Sequence, residues 1–184
     1  MLVWKNLSIN YKCVWQGHLD ELVPHTCPGV SGHAQAGEIH LIVADRCELA
    51  EELLKALIDV AIIGITFNGH TRPADWTKRA GTVTEGDDLA GALTVKEHVV
   101  RSTQLRLWRT TTKPQRTVIV DKIVESCSLQ EICEKQMRSG LVKTLHRKIL
   151  QVAIELVSQP QILVLHSRGP SDSLSSCRSL YWTI

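Results

Sequence analysis

Apolar positions along this chain switch between a two-residue rhythm and a helical one, which predicts strands interleaved with helices. Residues 2–11 alternate loosely and predict a strand, residues 16–37, rich in Gly, Pro and His, predict a loop, and residues 38–44 predict a compact apolar strand. Over 48–57, Leu49, Leu53, Ala56 and Leu57 recur at helical spacing with Glu51, Glu52 and Lys55 between them. Residues 61–67 are apolar and end at Asn68-Gly69, a tight-turn signal, so a strand leading into a hairpin is expected there. Residues 81–84 predict a short strand.

The second half reads as more helical. Residues 94–108 predict a helix with Thr94 as N-cap and Glu97 completing a capping box. Residues 118–126 and 128–137 predict two more, and over 142–157 the residues Val142, Leu145, Ile149, Val152, Ala153, Leu156 and Val157 make one apolar stripe before Pro160. The run 161–165 suits a buried parallel strand. Residues 167–184 hold six serines without periodicity and are expected to be an irregular tail. The organisation predicted is one α/β domain over 1–184, with a helical subdomain region over 94–158.

Composition narrows the partners. In 184 residues, 43% are hydrophobic and 22% charged, which is ordinary globular usage, and the net charge of +2 is too small to demand nucleic acid or an anionic surface. The N-terminus lacks signal-peptide character, and no apolar run reaches the roughly 20 residues of a membrane helix. A cytosolic setting with reduced cysteines is therefore expected.

Taken in order, several phrases resemble the ATP-binding domain of G-subfamily ABC transporters. They are Gly29-Val30-Ser31-Gly32-His33-Ala34-Gln35-Ala36-Gly37-Glu38, Leu53-Leu54-Lys55-Ala56-Leu57, Leu93-Thr94-Val95-Lys96-Glu97-His98, and the run Ala153-Ile154-Glu155-Leu156-Val157-Ser158-Gln159-Pro160 leading into Gln161-Ile162-Leu163-Val164-Leu165. The resemblance implies a fold like that of P-loop NTPases: a mainly parallel sheet, an N-terminal antiparallel β part and a helical insert, incomplete at the C-terminus. Residues 38–44 and 161–165 would be neighbouring strands. It further implies location at the cytosolic face of a membrane, and as partners a second nucleotide-binding domain and a transporter's transmembrane domain. Self-association is expected of an incomplete copy.

The departures lie where the family does its chemistry. A phosphate loop needs glycines for close backbone approach, a lysine for the β and γ charges, and Ser/Thr for Mg²⁺. The corresponding place reads Asp45, Arg46, Cys47, Glu48, Leu49, Ala50, Glu51, Glu52, with four carboxylates against one arginine. After Leu165, where the family has Asp then Glu, stand His166 and Ser167. Glu85 occupies the Q-loop position, Lys143, Thr144 and Leu145 occupy the signature, and Tyr11 or Trp15 stands where an aromatic stacks on adenine. No catalytic residue is retained and no cofactor is expected, ATP and Mg²⁺ being implied by the resemblance alone. The reading is a non-hydrolysing pseudo-domain, with an active ATP-binding subunit as the enzyme alternative.

Other clusters carry less. His18, His25, Cys27, His33, His40 and Cys13 crowd the loop region without zinc spacing, and Cys127 and Cys133 do not share a helix face, so neither a metal site nor a redox pair is expected. Between Val99 and Val120 stand Arg101, Arg106, Arg109, Lys113 and Arg116 with no acid, interleaved with Trp108. A solvated helix face is the expectation, and an unrelated nucleic-acid-binding protein is the alternative.

Overall fold

The computed structural model describes residues 1–14, 22–44, 47–59, 62–83, 89–167 and 177–183. The chain divides into two compact units, one of Met1–Glu85 with Gln161–Ile184 and one of Gly86–Pro160.

The first unit opens with β1 (Leu2–Val14), whose buried residues change parity from Leu2 and Trp4 to Leu7 and Ile9. A strict two-residue period would turn the second pair outward. The register irregularity between Trp4 and Leu7, with Asn6 at φ 50°, inserts the residue that keeps both pairs facing the core. Against β1 runs β2 (Leu22–Ala34), antiparallel, where the sequence predicts a loop. Pro24 and Pro28 suggest a loop to local reasoning, but β2 is the edge of its sheet, where a missing N–H breaks no interior ladder. Gly32 pairs with Trp4 beneath its indole, and a Cβ there would meet the ring at 2.4 Å.

On the other side of β1 lies β4 (Ile65–Phe67), which turns through Asn68 and Gly69, both at positive φ, into β5 (His70–Thr71). This is the expected hairpin, although its first strand is shorter than predicted. Residues 60–61 lie outside the described part, and Ile63 is 92% exposed.

The second sheet has the order β3-β8-β7-β6, from β3 (Ile39–Ala44), β6 (Ala80–Val83), β7 (Ile162–Ser167) and β8 (Cys177–Thr183). It departs from three expectations. The tail is not irregular over Cys177–Thr183, since this segment hydrogen-bonds on both sides, to β3 and to β7, antiparallel to each. By lying between them it also separates β3 from β7, so the segments predicted to be neighbours share a sheet without pairing. Among the described strands only β6 and β7 pair in parallel, so the mainly parallel sheet expected is not seen there. The fold is mixed α/β with antiparallel N-terminal strands.

Helix α1 (Cys47–Ile58) buries Leu53, Leu54, Ala56 and Leu57 in the core of this unit, with Trp4, Leu7, Ile65, Ile162 and Val164, and packs Ala50 with Ala44. Fully burying each leucine contributes about 1.5–3 kcal/mol. Its C-terminal carbonyls are gathered by Arg72, only 8% exposed, which donates to Ala56 O (3.1 Å), Leu57 O (3.0 Å) and Ile62 O (2.7 Å). Burial pushes the guanidinium pKa down from its usual value, and Asp59 partly opposes this. Trp76, which starts the short helix α2 (Trp76–Arg79), is fully buried and adds its indole N–H to Leu57 O at 3.1 Å.

The second unit is built on α3 (Val95–Leu107), α4 (Lys113–Ser126) and α5 (Thr144–Leu156). The predicted capping box is formed. Thr94 Oγ1 accepts from Glu97 N–H at 3.1 Å and Glu97 Oε2 accepts from Thr94 N–H at 2.8 Å, a motif of about 1 kcal/mol. The helix predicted over 128–137 is absent, reduced to a 3₁₀ turn at Gln130–Ile132. Ser128, at φ 54°, ends the helical path. The carbonyls of Lys135 and Cys133 then accept from Val95 and Lys96, satisfying amides at the start of α3 that no intrahelical carbonyl can reach. Long-range pairing there outweighs local helical spacing. In α5 the buried residues are Leu150 and Ala153, followed by Val157, whereas Leu145, placed in the stripe by its spacing, is 65% exposed.

Candidate functional site

Beside α1 an open cavity of about 460 Å³ is lined by Asn10, Tyr11 and Lys12 of β1, Pro24, His25 and Thr26 of β2, and Glu48, Glu51 and Glu52 of α1. The aromatic position and three of the phosphate-loop positions named from the sequence therefore share one cavity. Tyr11 stacks on His25, with ring centroids 5.6 Å apart and planes 24° apart. Asp45 and Arg46 lie outside the described residues, as does the side chain of Cys47. Leu49 is half-buried and Ala50 buried, so these two serve the core rather than the cavity.

The local chain explains why this wall is helix rather than an anion-binding loop. A helix N-terminus carries a partial positive charge that favours an anion, commonly a phosphate. Here the first turn of α1 contains Glu48, so the chain supplies its own carboxylate at that end, while Lys55 stands in the last turn. Lys55 is bound to Glu52 at 2.6 Å, and this hydrogen bond is the main cause raising its pKa. Lys12 is the lysine that lines the cavity, opposed by three glutamates.

The glutamate side of the cavity disfavours a phosphate charge. A carboxylate about 4 Å from a phosphate charge costs about 1 kcal/mol in water and about 4 kcal/mol at the effective dielectric of a protein surface. Three glutamates line this cavity. Among the described residues no group of three or more His, Cys, Asp or Glu converges.

The positions expected to carry the hydrolytic carboxylates are placed by backbone register. His166 and Ser167 end β7, opposite Ser179 and Arg178, and Ala44 ends β3 opposite Cys177. Ala44 and positions 166–167 thus lie at one end of the second sheet, two strands or roughly 10 Å apart. Their side chains lie outside the described part, as do Glu85, Trp15 and His18.

In the helical unit, Lys143 is the N-cap of α5, and its N–H donates to His146 Nδ1 at 3.2 Å. Thr144 opens the helix and Leu145 projects outward. Gly140 has nothing within 4 Å of where a Cβ would stand, so no close backbone approach depends on it. Among the histidines first considered for metal, His33 and His40 meet edge to face at 6.2 Å, and His40 Nε2 accepts from Gln35 N–H at 3.2 Å. Cys27, Cys127 and Cys133 are free thiols, and burial raises the Cys127 pKa, which keeps it protonated.

Sequence reasoning missed five of the cavity's nine lining residues: Asn10, Lys12, Pro24, Thr26 and, as a partner of Tyr11, His25. The spacing of Glu48, Glu51 and Glu52 was the available signal, because positions i, i+3 and i+4 share one helix face.

Comparison with known proteins gives the family. Over 195 residues the chain is 31% identical to ABC transporter G family member 28 of Arabidopsis thaliana, a match covering 97% of this chain. Over 115 residues it is 29% identical to the broad substrate specificity ATP-binding cassette transporter ABCG2 of Bos taurus, covering 61% of this chain. With ABC transporter G family member 13 of Arabidopsis thaliana it shares 25% identity over 189 residues. The chain belongs to the G family of ABC transporters, as an ATP-binding domain. It spans 16%, 17% and 27% of the lengths of members 28, ABCG2 and 13. No family model matches the chain. Among the described residues no helix is long and apolar enough to cross a membrane.

Proposed function

We propose that this chain acts as a nucleotide-binding-like domain that neither grips nor hydrolyses ATP. Its role is then to bind a partner, either a second nucleotide-binding domain or the transmembrane domain of a transporter, at the cytosolic face of a membrane. The observation that supports this reading is the cavity beneath Tyr11, walled by Glu48, Glu51 and Glu52 where the family's chemistry needs glycines and a lysine. The partner classes follow from the relatives' descriptions as transporters.

Two separate losses support inactivity. Binding is opposed by the acidic wall, and hydrolysis lacks the pair of carboxylates replaced by His166 and Ser167, since a hard cation such as Mg²⁺ prefers oxygen ligands to imidazole. Purified protein should therefore release phosphate from Mg-ATP at the rate of the buffer alone. The double change His166→Asp, Ser167→Glu should leave that rate unaltered, because the α1 wall stays acidic. Turnover in the unmodified protein that disappears in His166→Ala would overturn the proposal.

A further inference from the structure

We propose that the outward face of α3 docks on an anionic lipid surface, a function independent of nucleotide. Arg101, Leu105, Trp108 and Arg109 stand at positions i, i+4, i+7 and i+8, so they form one stripe along α3 and its first C-terminal residues. The stripe is open: Leu105 is 79% exposed and Trp108 63%, and both arginines are exposed. The opposite side of the helix buries Val95, Val99 and Thr103 in the helical core.

Beyond Glu97, whose carboxylate caps the start of α3, the charge of this face is basic. Arg106 is turned away to Glu155 of α5, with Nη1 3.0 Å from Oε2, and Arg116 donates to Thr111 O at 2.5 Å. Among the described residues no ion pair occupies Arg101, Arg109 or Lys113, and the sequence has no acid from Val99 to Val120. The backbone N–H groups of Thr110 and Thr111 both donate to Leu107 O at the end of α3. The Arg109 guanidinium lies 5.0 Å from the Trp108 ring centre, so cation and aromatic are already assembled.

Such a face complements lipid in both of its parts. Basic side chains are attracted to the anionic headgroups of a leaflet, and tryptophan favours the headgroup level, where its ring is half in hydrocarbon. A leucine beside them gains by burial at the acyl boundary. Nucleic acid would satisfy the arginines, but single-strand platforms rely on successive aromatics to stack bases. This stripe offers one aromatic and a branched aliphatic that cannot stack.

The test uses the full chain and sedimentation with phosphatidylcholine vesicles, with and without phosphatidylserine. Binding should occur with phosphatidylserine and fall with added salt. Arg101→Gln with Arg109→Gln should weaken it by about twenty-five-fold, the product of two fivefold losses, and Leu105→Glu should weaken it as well. Ile63→Glu, at a 92% exposed site of the other unit, should leave it unchanged. These positions are exposed, and unchanged far-ultraviolet circular dichroism will establish that each variant is folded. No sedimentation with anionic vesicles, equal binding by the parent and both stripe variants, or preference for an RNA oligomer over the vesicles overturns the proposal. Because no nucleotide is present, failure here leaves the ATP prediction untouched.

Discussion

Replacing Arg72 with methionine is expected to lower unfolding stability by about 2–4 kcal/mol, although the residue lines no part of the cavity. Its fork holds three carbonyls, two of them at the C-terminal end of α1, where a cation is also favoured by the helix dipole. Without it, Leu57 O keeps the Trp76 indole N–H, but Ala56 O and Ile62 O lose the donors seen here. An orphaned buried carbonyl costs about 1–3 kcal/mol, and the relieved desolvation of the guanidinium returns part of the sum. Lysine should recover less than half, because one ammonium cannot span three acceptors held by a planar fork. Urea denaturation measures the effect. A change below about 1 kcal/mol would show that the carbonyls rehydrate and that Arg72 is not the clamp described.

The largest effect in the helical unit is expected from Leu150→Ala, at about 3–5 kcal/mol, through lost transfer energy plus the cavity left behind. Leu150 is fully buried with Val95, Val99, Val120, Val124, Leu129 and Met137, so the space is walled from several elements. Methionine at the same position preserves volume and should cost less than about 1.5 kcal/mol. Leu145→Ala, only five residues earlier, should stay within about 0.5 kcal/mol of the parent because its side chain is 65% exposed. Comparable costs at 145 and 150 would mean that the apolar stripe read from spacing, rather than the face seen in the fold, is the buried one.

That contrast shows what was legible in the sequence. Where a signal is local and chemical, as in the Thr94–Glu97 capping box, the Asn68-Gly69 turn or the periodicity of α1, expectation and fold coincide, because the determining atoms lie within a few residues. Where the determinant is a distant strand, local reasoning fails. The prolines of β2 are tolerated because among the described strands its outer edge is unpaired, and β8, in a tail without periodicity, is a strand because β3 and β7 both offer it ladders. Residues 128–137 have helical spacing, yet their carbonyls are drawn to the first amides of α3. In the cavity the carboxylates were visible in the sequence, whereas their meeting with Tyr11 and His25 depends on β1–β2 pairing, which no spacing reveals.

The acidic wall beneath Tyr11 is the centre of this account, and thermal unfolding in the presence of Mg-ATP tests it most directly. A ligand that binds only the native state at 100 times its dissociation constant stabilises by about 2.7 kcal/mol, which shifts the unfolding midpoint by several degrees. Millimolar Mg-ATP is predicted to leave the midpoint where Mg²⁺ alone leaves it. A saturable, Mg-ATP-dependent rise that is lost on replacing Tyr11 with alanine would contradict the account, by showing that nucleotide enters this cavity despite Glu48, Glu51 and Glu52.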